Sequence, residues 1–170
     1  MSAQERTERS QAAASRLVSW LQSKNLERVG LFAAVRAEIQ TDIVFRLGQE
    51  IGAQIALPRI VQWKGVLEFG WVKDWHDLVR GCYGIMEPVG SAVELSELEA
   101  IVVPGRGFDL YGGRLGYGAG WYDRTLEGYR GVVIGYGFDV QVVNRVPTES
   151  HDRPLDFVVT DERLLVVEAR

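Results

Sequence analysis

The apolar run Ile101-Val102-Val103 stops at Pro104-Gly105. Six glycines then fall within Gly105–Gly118 (105, 107, 112, 113, 116 and 118), and Gly120 follows. Proline has no N–H to give to a ladder, so the run reads as a buried strand that ends there. The next segment, WYDRTL (Trp121–Leu126), is compatible with a helix. A strand, a glycine-dense loop and a helix in that order constrain the fold. Glycine permits positive φ and close approach of a ligand to the main chain, and N–H groups near a helix N-terminus suit phosphate.

The flanking pattern extends this unit. Ser10–Leu21 is helix-like, with Ala13, Leu17, Trp20 and Leu21 on one face. Val29–Val35 is a continuous apolar run that fits a strand covered on both sides. Thr41 or Asp42 can cap a helix carrying Ile43, Val44, Leu47 and Ile51, with Gly52 as its stop. Ile55-Ala56-Leu57 reads as a strand closed by Pro58, and parallel pairing with the first strand is the natural arrangement. Residues Val61–Pro88 break into short alternating pieces, a β-rich insertion or edge that includes Val66–Val72 and Tyr83–Met86. Glu94–Leu98 reads as a connecting turn, and Val132–Tyr136, Phe157–Thr160 and Leu164–Val167 read as strands. The expected fold is α/β: a three-layer sandwich with a mainly parallel central sheet and helices on both faces, in one domain over residues 1–170. Chemistry is then expected in the loops beyond strand ends: Arg36–Thr41, Gly105–Gly120 and Tyr136–Asp152.

Composition removes several classes of function. A formal charge of −4 argues against a nucleic-acid or membrane footprint, and no window approaches a membrane span. Cys82 is the sole cysteine, which excludes an intrachain disulfide and a thiolate zinc cluster. With no histidine close in sequence to activate it, Cys82 reads as a packing residue. MSAQERTERSQAAAS has no apolar signal region, so the cytoplasm is the expected compartment, and the expected state is a monomer or weak dimer.

Gly116-Tyr117-Gly118-Ala119-Gly120 is G-x-G-x-G, and it matches neither the dinucleotide fingerprint nor a Walker A loop. Taken alone it is equally a glycine-rich surface loop. Arg114 adds a fixed charge with a phosphate-matching fork, and Asp123 adds a hard carboxylate suited to Mg²⁺ beside a polyphosphate. VPGRGFD (Val103–Asp109), GGRLGYGAGWYDR (Gly112–Arg124) and the block Ile134–Glu162, which contains HDRPLD, resemble the 5-formyltetrahydrofolate cyclo-ligase family, the 5,10-methenyltetrahydrofolate synthetases. ALPRI (Ala56–Ile60) and GIMEP (Gly84–Pro88) resemble further family blocks of structural character, although Arg59 could face an anion. Phe69 and Trp71 fall where the family sets aromatics against folate, and a core role is at least as good a reading.

The resemblance implies ATP and Mg²⁺ as cofactors and 5-formyltetrahydrofolate as the small-molecule partner. It makes Arg114 and Tyr122 the catalytic candidates, and Arg114, Leu115, Gly116, Tyr117, Gly118, Ala119, Gly120, Trp121 and Tyr122 the ATP-binding stretch. Glu38 in RAEIQT, with Trp121 and Tyr122, would contact the folate, since a carboxylate accepts from pterin N–H groups. Asp123 and Asp152 would hold magnesium; His151 reads as an exposed loop residue, and His76 has no supporting pattern. The implied reaction is ATP-driven closure of 5-formyltetrahydrofolate to 5,10-methenyltetrahydrofolate. Two cations of the family pattern have no counterpart: a lysine ahead of Ser10, where only Arg6 and Arg9 occur, and a basic residue at Ala119. The alternative is therefore a non-catalytic paralogue that binds folate or nucleotide as a regulatory module.

Overall fold

The structure, a computed structural model, describes residues 1–168. Helix α1 spans Ala3–Ser23, so it begins well before the expected Ser10. Ser2 caps it, its hydroxyl accepting from the Glu5 N–H at 3.1 Å. The first two turns, AQERTERS, carry no large apolar residue, which is why periodicity did not reveal them. Ser10, Ala13, Ala14, Leu17, Val18 and Leu21 form the buried face.

Strand β1 is only Arg28–Gly30, shorter than the expected Val29–Val35. Leu31, Phe32 and Ala33 are buried but run as a loop, so the apolar run reported burial and not pairing. Helix α2 follows at Asp42–Glu50, and Gly52, at φ +86°, carries the chain out of it. Thr41 precedes α2 without capping it through its side chain; its hydroxyl instead accepts from the Ala34 N–H at 3.0 Å. Strand β2 is Gln54–Val61 and passes straight through Pro58, where a stop was expected. The Leu31 N–H donates to the Ala56 carbonyl, and the next rung on that side would need the N–H that proline lacks. Pro58 therefore ends the pairing with β1 while β2 continues antiparallel to β3, Val66–Val72.

The β-rich insertion is present as β4 (Val79–Arg80), β5 (Met86–Glu87) and β6 (Ala92–Val93). Then come β7 (Ala100–Val103), a hairpin of β8 (Gly107–Phe108) and β9 (Arg114–Leu115), and the short helix α3 (Trp121–Thr125). Strands β10 (Val132–Tyr136), β11 (Phe157–Val159) and β12 (Leu164–Val166) complete the chain. The main sheet runs β12-β11-β10-β7-β1-β2-β3-β6. Its five central strands, from β11 to β2, are parallel, and both edges are antiparallel.

Both faces are covered, which is why the central strands are continuously apolar. Ala100, Val102, Ile134 and Tyr136 pack with α1 and α2. Ile101, Val103 and Val133 face the other way, onto Phe108, Leu126, Tyr129 and Leu155 around α3. Strand β1 has β2 on one side and β7 on the other, so the order reverses between β1 and β7. In open α/β sheets the ligand crevice opens at such a reversal, outside the carboxyl ends of the strands.

Candidate active site

The two loops flanking that reversal are the β1–α2 loop, with Glu38, and the long β7–α3 connection, with the glycines. They touch. The Tyr117 hydroxyl donates to Glu38 Oε1 at 2.7 Å, and the Val35 N–H donates to Glu38 Oε2 at 2.8 Å. Burial raises the Glu38 carboxyl above its ordinary range, and the hydrogen bonds from Tyr117 and Val35 offset only part of this. Desolvation, then the bond to Glu38, push the Tyr117 phenol up, so it stays a donor. Arg36, two residues before Glu38, has φ +53°, and its carbonyl accepts from Arg6 of α1 at 2.7 Å. The early cation Arg6 thus lies on the Glu38 loop.

A second cluster adjoins the first. The Arg114 side chain is 9% exposed; it donates to the Pro104 carbonyl and to Asp123 Oδ1, each at 3.1 Å. Its guanidinium lies over the Tyr122 ring, 5.4 Å from the centroid. Burial raises the Tyr122 phenol, with the Arg114 charge opposing and the Glu38 charge adding to the rise. Trp121 turns instead to Arg124, 5.2 Å from its ring, and Arg124 donates to the Gly65 carbonyl of the β2–β3 hairpin. The expected aromatic pair is split between two neighbours.

Arg114, Asp123 and Asp152 line one open depression, walled by Gly112, Thr148 and Glu149. Asp152 Oδ2 accepts from the Glu149 N–H at 2.8 Å. His151 is exposed, as expected, with its Nε2 3.4 Å from Glu149. Among the described residues no group of three His, Cys, Asp or Glu side chains is arranged to hold a metal. Two carboxylates still fit Mg²⁺, which keeps several waters and is held by one or two carboxylates plus substrate phosphates. The N–H groups of Gly116–Gly120 have no acceptor among the described residues, and Gly118 and Gly120 have φ of +95° and +71°. The loop offers free main-chain donors beside Arg114.

Two residues escaped the sequence reading. Asp109 is 1% exposed and ties the loop together: Oδ1 accepts from Tyr111 and Gly113, and Oδ2 from Val146. Its signal was the spacing of an aspartate two and four residues ahead of a turn. Arg106, on the other arm of the β8–β9 hairpin, is exposed and close enough to Tyr117 to oppose the rise of its phenol. Nothing in its spacing announced that a hairpin would bring it to residue 117.

A parallel sheet whose order reverses beneath a glycine-rich loop, with guanidinium and carboxylates at the crevice, defines an α/β enzyme architecture. The 5-formyltetrahydrofolate cyclo-ligase family pattern matches residues 1–161. The Escherichia coli K12 5-formyltetrahydrofolate cyclo-ligase is 32% identical over 168 residues, covering 95% of this chain and 92% of the relative. The solution structure of Aquifex aeolicus 5,10-methenyltetrahydrofolate synthetase superposes with a TM-score of 0.86 at 31% identity, over 100% of this chain and 87% of that one. A Mycoplasma pneumoniae 5,10-methenyltetrahydrofolate synthetase, at TM-score 0.76 and 20% identity over 95% of this chain and 90% of that one, supports the fold alone. The chain is a ligase-class α/β enzyme. It belongs to the 5-formyltetrahydrofolate cyclo-ligase family.

Proposed function

We propose that the chain, acting as a single catalytic domain, closes 5-formyltetrahydrofolate to 5,10-methenyltetrahydrofolate at the expense of ATP. The observation that carries this reading is the bond from Tyr117 to Glu38, which joins the two loops where the Arg114 guanidinium lies 5.4 Å from the Tyr122 ring. Two substrates held by those loops would meet at one aromatic ring.

The formyl oxygen attacks the γ-phosphorus of ATP and ADP leaves, giving a phosphorylated imidate. The neighbouring amine nitrogen then adds to the activated carbon and loses its proton. Phosphate departs with the former formyl oxygen as the ring closes. No protein nucleophile is needed; the chain supplies position and charge. Glu38 accepts from the pterin N–H groups and fixes the formyl end. The free N–H groups of Gly116–Gly120 and the Arg114 guanidinium take the phosphates, and Arg106 supplies a cation at the loop where Ala119 has none. Asp123 and Asp152 would hold Mg²⁺, which when bound neutralises charge on the phosphates.

Arg106→Ala is expected to raise the KM for ATP by about tenfold, the value of one charge-assisted contact, and to leave that for folate within about twofold. The mechanism is tested by labelling the formyl group with heavy oxygen and weighing the phosphate released. Label in the phosphate supports attack by the formyl oxygen; unlabelled phosphate with methenyl product formed would refute the imidate.

A further inference from the structure

Glu38, the residue read as meeting the pterin, is already engaged. Its Oε2 takes the Val35 N–H, and its Oε1 takes the hydroxyl of Tyr117, 79 residues away in sequence. Tyr117 stands in the middle of the phosphate loop. The residue is 60% exposed, so its side chain is anchored through the hydroxyl more than by packing. Gly118 and Gly120 follow at positive φ, and a Cβ added to Gly118 would meet nothing within 4 Å. Glycine can take φ of either sign, and open space lies beside Gly118. The bond joins the loops after β1 and β7, the two that border the crevice at the sheet's reversal. A substrate entering there meets a closed contact.

We propose that Tyr117 couples the two substrate sites. With the phosphate loop empty, its hydroxyl occupies Glu38; a polyphosphate drawn onto the Gly116–Gly120 N–H groups carries Tyr117 away and frees the carboxylate oxygen for pterin N–H groups. The inference rests on the cyclo-ligase reading above. It makes nucleotide and folate binding mutually reinforcing, and by linkage each must tighten the other by the same factor. Arg106, exposed and with its N–H on the Leu115 carbonyl at 2.7 Å, places a charge next to the loop that would meet phosphate.

The test is calorimetric titration of 5-formyltetrahydrofolate into wild-type protein and Tyr117→Phe, each with and without a non-hydrolysable ATP analogue and Mg²⁺. Phenylalanine keeps the ring and the loop and removes only the hydroxyl. The analogue is expected to tighten wild-type folate binding about tenfold. Tyr117→Phe is expected to bind folate about tenfold more tightly than wild type without the analogue, and to gain less than about twofold from it. Equal affinities without the analogue, or a full analogue effect in the variant, would overturn the coupling alone. Weaker folate binding by the variant would make Tyr117 a support for Glu38 and equally overturn it. No folate binding by either protein under any condition would remove the folate reading and the coupling together.

Discussion

Asp109 and Glu38 are carboxylates in the same region with opposite electrostatic settings. Burial alone would raise Asp109, but the N–H groups of Val146, Gly113 and Tyr111 and the charge of Arg145 outweigh it and hold the carboxyl below its ordinary range. A carboxylate lowered on folding contributes stability above its unfolded pKa, and that contribution is lost as pH falls through the lower folded value. Asp109→Ala should cost about 3 kcal/mol at neutral pH in denaturant melts, because three backbone donors, two of them in buried bonds, lose a charged acceptor. Asp109→Asn should flatten the acid limb of the stability profile. Glu38 has the reverse sign: raised on folding, it contributes below its unfolded pKa, and that contribution is lost as pH rises through the folded value. Glu38→Gln is therefore expected to melt higher than wild type at about pH 8, with the difference shrinking at about pH 4. The same change should lower turnover by about a hundredfold, as a binding site exchanges stability for function. For Asp123, which holds the mostly buried Arg114, asparagine is the informative replacement. It keeps a hydrogen-bond acceptor, so turnover should fall by about a hundredfold or more while the melting point moves by a few degrees.

Helix α3 carries Tyr122 and Asp123 into the site from a left-handed start: Gly120 is its cap residue, at φ +71°. A Cβ there would lie 2.7 Å from an Arg124 nitrogen, the same side chain that donates to the Ala119 carbonyl. Gly120→Ala should cost about 1 kcal/mol in backbone strain and displace Trp121 and Tyr122, with turnover down about tenfold. A variant with unchanged stability and kinetics would show that the left-handed start is dispensable. Elements of this kind differ in how visible they were in the sequence. Val132–Tyr136 was legible end to end because apolar residues fill it between two glycines, and Val66–Val72 because its residues alternate. Leu31–Ala33 misled because a buried loop and a buried strand have the same hydropathy. Pro58 misled because proline forbids pairing on one side of a strand only, and which side is a tertiary fact. The first turns of α1 were hidden by their polarity, although Ser2 with Glu5 three residues on was a cap signature.

At the scale of the molecule, the layer order followed from alternating apolar runs and helical faces, since both sides of a parallel sheet must be covered. The reversal between β1 and β7 could not be read that way, because hydropathy carries no neighbour order. It is this reversal that brings Glu38 to Tyr117, so the gathering of the site was invisible even though most of its members were named through family resemblance. Asp161 shows how the far parts are tied: its side chain, 4% exposed, bonds Arg9 of α1 at 3.3 Å and the Asp139 N–H at 2.7 Å. Asp161→Ala should destabilise the whole fold by about 2 kcal/mol in denaturant melts, and a loss confined to α1 would contradict that linkage. The measurement that most directly tests the central claim is turnover itself. Purified protein is mixed with 5-formyltetrahydrofolate, ATP and Mg²⁺, and the near-ultraviolet band of the methenyl product is followed. The site described here predicts growth of that band that requires ATP and stops without it. A protein that binds folate or nucleotide by calorimetry yet yields no methenyl band would contradict the claim and leave a binding module in its place.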